Sequence, residues 1–223
     1  SARIMSLTVF HSYCAGSNWF PASEQEQTVS YLDFPSCQRC LEKSAFSIHD
    51  TKIKNLEMIM KFAHFAHVWA KPGMTPHERY EQLWRELMIC DELEFDYGFC
   101  VEHHFTPQES WMSAPSLYTV GAGARTKNIR LGPMGYVTPL YHPLRLAEEI
   151  AIIDQMLNGR MELGLVPGIN AKYFEPFGLE YGSRKSPTME YLDYLDVAFG
   201  DQPFSYDGEN YNTQNAHISV LPV

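Results

Sequence analysis

Four times between Met60 and Phe199 an apolar, strand-like run gives way to a helix-length segment, and each of those segments opens on a proline: Pro76, Pro115, Pro143 and Pro187. Proline suits the first helical turn, where its missing N–H is not needed. The strand-like runs are Lys61 to Trp69, Phe95 to Val101, Ile129 to Val137 and Arg160 to Val166. In the first helix Tyr80, Leu83, Trp84, Leu87 and Met88 share one face. In the third Leu146, Ile150, Ile153 and Leu157 do so, and in the fourth Met189, Leu192, Leu195 and Phe199. The second helix ends near Arg125 and is weakened by Gly121 and Gly123; Asn158-Gly159 stops the third. Mostly apolar strands alternating with helices predict an α/β fold in which parallel strands are covered by helices. Four such units are about half of an eight-unit barrel, which typically needs roughly 250 residues.

The flanks read differently. Asp207-Gly208 marks a hairpin turn between Phe204 and the extended end at Val223. Residues 1–58 mix isolated aromatics, Ser and Gln with no sustained period and predict an irregular extension, with residues 59–223 as the folded domain. Either Met60 is the natural start and the upstream residues are an added leader, or they are an extension particular to this protein. Cys14, Cys37, Cys40, Cys90 and Cys100 are odd in number and irregular in spacing, which fits a reducing cytoplasm better than a disulfide framework. The lone Cys37-Gln-Arg-Cys40 lacks the second pair that a zinc site needs. The formal net charge of -10 argues against nucleic acid and anionic membranes as partners. No apolar run is long enough to span a bilayer.

Glu102-His103-His104-Phe105, at the C-terminal end of the second strand, is the most pointed chemical signal. Parallel-strand folds place their active sites at that end. An imidazole beside a carboxylate exchanges protons near neutral pH. On an extended strand the two histidines point to opposite sides, so one faces the barrel mouth while the other packs or caps a loop. A satisfied, buried imidazole is the bland alternative. Three neighbouring residues on one strand do not converge on a metal, and no metal site is expected.

The tetrapeptide is followed by Ala124-Arg-Thr-Lys-Asn-Ile-Arg-Leu-Gly132, His142-Pro-Leu-Arg-Leu-Ala-Glu-Glu149, Asp154-Gln155, Asn158-Gly-Arg-Met-Glu-Leu-Gly164 and Phe177-Gly178. In this order and spacing the segments resemble the bacterial-luciferase-like flavin-dependent monooxygenases, over most of residues 60–223. The resemblance implies the N-terminal half of a (β/α)8 TIM barrel that binds reduced FMN or, in some relatives, the deazaflavin F420. It implies a monooxygenase in which reduced flavin activates dioxygen against a small organic substrate while the protein keeps water out. A separate flavin reductase would supply the reduced flavin. By position His103 matches the acid/base histidine. His104, Met134, Gly135, Val166, Gly168 and Asn170 fall where cofactor contacts are expected, and a non-proline cis peptide is expected at about Met134-Gly135.

One departure stands out. Where relatives carry a phosphate-binding arginine after the fourth strand, this chain has Gly164-Leu-Val-Pro-Gly168, and Pro167 donates nothing. Lys172 and Arg184 are the nearby cations. Phosphate binding is therefore expected to be weak or to come from elsewhere. The first and fourth strands would be open edges, which invite pairing, as a homodimer or by aggregation. Two further readings stay open: a half barrel that has lost its cofactor and serves as an interaction module, and an F420-dependent oxidoreductase.

Overall fold

The computed structural model describes residues 8–9, 60–69, 71–183 and 185–223. The Cys37/Cys40 pair and Arg184 lie outside the described residues, as do residues 10–59, so the extension is described only at Thr8 and Val9. The chain divides into two compact units, residues 12–60 and the remainder, which holds all the elements below.

The strands are β1 (Thr8–Val9), β2 (Ala63–Ala66), β3 (Tyr97–Cys100), β4 (Arg130–Pro133), β5 (Tyr136–Val137), β6 (Gly164–Val166), β7 (Phe204–Asp207) and β8 (Asn212–Ala216). The helices are α1 (Pro76–Glu92), α2 (Pro115–Gly123), α3 (Pro143–Met156) and α4 (Lys185–Ala198). β2, β3 and β4 pair in parallel, with Ala66 opposite Cys100 and Cys100 opposite Pro133. β5 pairs in parallel with β6, and a parallel bridge from Leu131 to Met161 joins the two groups. The third strand read from sequence is thus split into β4 and β5 by a cis peptide between Met134 and Gly135. The result is four consecutive β/α units of a barrel, as the alternating pattern requires.

Each helix start is built locally. Thr75 caps α1 in a reciprocal capping box with Glu78, and Pro76 follows it. His142 caps α3 through its Nδ1, which accepts the Leu144 amide at 3.3 Å. Leu146, Ile150, Ile153 and Leu157 are all buried, as their spacing predicts. Two inward expectations fail. Met88 and Met189 are exposed. The buried stripe of α1 runs instead through Arg79, Leu83, Leu87 and Cys90, and that of α4 through Thr188, Tyr191, Tyr194, Leu195 and Ala198. In each helix the methionine lies one residue, about 100°, off the stripe that packs.

Most of the sequence segments behind the family resemblance turn out to be fold staples. Arg160 donates to the carbonyls of Gly123, Thr126, Ile129 and Leu157, which ties the α2–β4 loop to the start of the fourth strand. Asp154 accepts the Met161 amide, and Asp91 accepts the amides of Lys127, Asn128 and Ile129. Asn158 and Gly159 both take positive φ, which ends α3. β7 and β8 form the antiparallel hairpin expected around Asp207-Gly208, with Tyr194 of α4 against Phe204 and Tyr206. Thr8–Val9 departs from the irregular extension expected there: it pairs in parallel with Gly164 and Leu165 on the outer edge of β6.

Candidate functional site

Side chains alternate across each strand, and the helices settle which face is which. A Cβ on Gly98 would meet Leu87 of α1 at 2.8 Å, so Gly98 faces the helices and its neighbours Tyr97 and Phe99 face the opposite side. On that side lies an open cavity of about 210 Å³. Tyr97, Phe99, Met134, Gly135 and Val166 line it, and among the described residues Glu162 is the only charged one in the lining. The wall is close-packed backbone at its centre. A Cβ on Gly135 would stand 2.2 Å from the Gly164 carbonyl carbon, so only glycine fits, and it presents bare main chain to the cavity.

Of the residues singled out from the sequence, Met134, Gly135 and Val166 therefore share one cavity. His103, His104, Gly168 and Asn170 do not line it. Gly168 makes the turn after β6 at φ +79°, wedged between Phe174 and Val137. Asn170 caps the short 3-10 helix Ala171–Tyr173, its Oδ1 accepting the Lys172 amide at 3.1 Å. Lys172 is exposed.

The two histidines lie beyond the end of β3 at Cys100 and make different contacts. Glu102 is buried. Its Oε2 accepts the Val137 amide at 2.7 Å, and its Oε1 accepts the Tyr141 hydroxyl at 2.8 Å. His104 Nε2 lies 2.7 Å from Oε1, which puts the proton on that nitrogen, because a carboxylate only accepts. His104 is thus part of the clamp that holds β5 to the end of β3, and burial together with Glu102 pushes the Tyr141 hydroxyl far up.

His103 faces elsewhere. Its amide donates to the Met112 carbonyl at 2.8 Å. Its ring contacts are His67 at 5.3 Å between centroids and Tyr173 at 5.5 Å. Nδ1 stands 3.4 Å from Glu109 Oε2, within ion-pair range, but without hydrogen-bond geometry, and it is buried with no hydrogen-bond partner. Tyr173 donates to that same Glu109 oxygen at 2.8 Å. Burial pulls His103 below the usual imidazole range; His67 adds to this, and Glu109 opposes it. Burial likewise lowers His67.

Sequence reading missed His67, Glu109, Tyr173 and Tyr141. His67 sat inside an apolar run read as strand, and the other three lie on loops whose approach depends on the fold. Among the described residues no three His, Cys, Asp or Glu side chains converge in a way that could hold a metal ion. Cys90 and Cys100 are free and buried. No helix among the described residues is long and apolar enough to cross a membrane.

A family model described as luciferase-like monooxygenase matches residues 60–223. The alkanal monooxygenase alpha chain of Photobacterium leiognathi is 34% identical over 142 residues, covering 62% of this chain and 39% of that protein. A solved structure of the oxygenating constituent of 3,6-diketocamphane monooxygenase from Pseudomonas putida, in complex with FMN, superposes with a TM-score of 0.63 at 24% identity, over 69% of this chain and 43% of that one. An F420-dependent secondary alcohol dehydrogenase in complex with an F420-acetone adduct superposes at 0.59 with 16% identity, over 73% and 49%. The chain spans less than half the length of each of these relatives.

Proposed function

Because this chain belongs to the luciferase-like monooxygenase family, we propose that it supplies the first four β/α units of a flavin-dependent monooxygenase, with the flavin ring against Met134, Gly135 and Val166. The observation that carries this reading is the cavity itself: an apolar, partly side-chain-free wall flanked by Tyr97 and Phe99. Such a surface fits the flat ring of a flavin or deazaflavin. It does not fit the phosphate, since among the described residues no lysine or arginine is in the lining, and Pro167 stands where an arginine would. Relatives that act on an alkanal, or that bind FMN, support a small organic substrate and dioxygen as the other reactants, and a partner reductase would supply the reduced flavin.

A bound reduced flavin supplies the electrons that activate dioxygen. The residues of this chain do the rest. Tyr97, Phe99, Met134 and Val166 exclude water from the ring face. Glu102 holds Val137, Tyr141 and His104, and so fixes the end of β5 against the end of β3. His103, held neutral by its buried surroundings, takes up or returns a proton at its imidazole nitrogen as the group acting in acid/base exchange.

The same cavity suits F420, and the likeness to an F420-dependent dehydrogenase supports hydride transfer as the second reading. Anaerobic titration with reduced FMN and with reduced F420, followed by absorbance, separates the two. Reduced FMN should bind, and Val166→Asp should weaken it by about tenfold or more by placing an unpaired carboxylate against the ring. Binding of F420 alone would favour the second reading. Binding of neither, or binding unchanged by Val166→Asp, would overturn the placement of the ring.

A further inference from the structure

Two histidines from different strand ends meet, and only one of them belongs to the motif that points to chemistry. His67 follows β2, and its ring stands 5.3 Å from that of His103 at 83°, so that one ring presents its edge to the face of the other. Both Nδ1 atoms are buried, and neither has a hydrogen-bond partner. Among the described residues few groups face the pair, and the Glu109 main chain hydrogen-bonds His67. From the loop after β3 come His104 and Glu109, whose carboxylate is 3.4 Å from His103 Nδ1; from the 3-10 helix after β6 comes Tyr173, which donates to that carboxylate. Phe65 and Trp69 flank His67 at 5.3 and 5.2 Å.

We propose that His67 is a positioning residue for His103: the crossed rings hold each other in place, and the pair carries no more than one proton at a time, which keeps His103 in its neutral form. The physical argument has two parts. Two imidazolium ions at this separation, in a partly buried site, repel strongly, while the Glu109 carboxylate, the one beside them among the described residues and already committed to Tyr173, compensates at most one of them. An edge-to-face contact also sets the orientation of both rings, because it places the electropositive edge of one over the electronegative face of the other. Protonating either ring therefore raises the cost of protonating its partner, and the two titrate as one unit.

This inference rests on the acid/base reading of His103 for its relevance to turnover, but its test does not. The imidazole resonances of His67 and His103 would be followed by long-range proton–nitrogen NMR from pH 4 to 9 in the full chain and in His67→Phe and His67→Gln, with circular dichroism confirming the fold. In the parent protein His103 should titrate in a broadened, two-step curve. In His67→Phe, where the ring and its burial are kept, it should titrate in a single step displaced upward by roughly 0.5–1 unit, about three- to tenfold in proton affinity. His67→Gln should do the same, and reciprocally His103→Phe should move His67 upward. A His103 curve that is single-step in the parent and unmoved in both variants would overturn the proposal. Coupling observed together with His103→Ala turnover at the parent rate would instead sink the acid/base reading and leave the pairing intact.

Discussion

The Val137 amide donates to the Glu102 carboxylate at 2.7 Å, so the residue just before the histidine pair also anchors the strand segment that follows Met134 and Gly135. The same carboxylate takes the Tyr141 hydroxyl and His104. Three donors thus depend on one buried acid, and the two strand ends that frame the proposed ring site are fixed to each other through it.

Removing that acid should therefore be expensive. Glu102→Ala leaves three donors unmatched in a buried site and should cost about 3 kcal/mol or more, with Glu102→Gln, which keeps one acceptor oxygen, in between. The midpoints of urea denaturation measure this. A loss under about 1 kcal/mol for the alanine variant would mean that the clamp is dispensable.

The glycines make a sharper contrast. A Cβ on Gly132 would sit 1.8 Å from the Glu162 carbonyl oxygen, a main-chain atom that cannot move aside. One on Gly182 would meet nothing within 4 Å. Thermal unfolding should find Gly132→Ala destabilised by about 3 kcal/mol or more, from overpacking, and Gly182→Ala within about 0.5 kcal/mol of the parent.

How much of this could be read from the chain follows from how local each signal is. The stripe Leu146, Ile150, Ile153, Leu157 is a property of one helix, and it packs as spaced. The site of the split third strand was available because the segments around Met134-Gly135 lie in family register. Met88 and Met189 were misread because periodicity alone allows a stripe to be drawn one residue to the side, and only the neighbouring helices decide. The His67–His103 contact was out of reach. It depends on β2 and β3 pairing with Ala66 opposite Cys100, and His67 and His103 follow those residues by one and three positions. Glu109 and Tyr173 reach the same spot from loops with no period at all.

Acid should probe the pair through stability. Burial lowers both His67 and His103 in the folded protein. A histidine lowered on folding contributes stability above its unfolded value of about 6.5, and that contribution is lost as pH falls below it. The unfolding free energy should thus decline as the pH falls below about 6.5. In the double variant His67→Phe/His103→Phe the decline should be shallower. Parallel curves for the two proteins would contradict the neutral, buried state of the pair.

The lack of a cation among the described residues of the cavity lining predicts how this chain ranks flavins. With no charge-assisted contact to the phosphate, FMN and riboflavin should bind within about threefold of each other by fluorescence titration. An FMN preference of about tenfold or more would reveal a phosphate site outside these lining residues.

The account turns on His103, and stopped-flow reoxidation of reduced FMN by dioxygen tests it most directly, on the parent, His103→Ala and His104→Ala. His103→Ala should bind reduced FMN within about threefold of the parent, because His103 does not line the cavity, yet change the reoxidation rate by about 100-fold, the usual scale of a positioned acid/base group. His104→Ala should act mainly by loosening the fold around Glu102. Reoxidation of His103→Ala at the parent rate, with binding unchanged, would contradict the account and return His103 to a packing role.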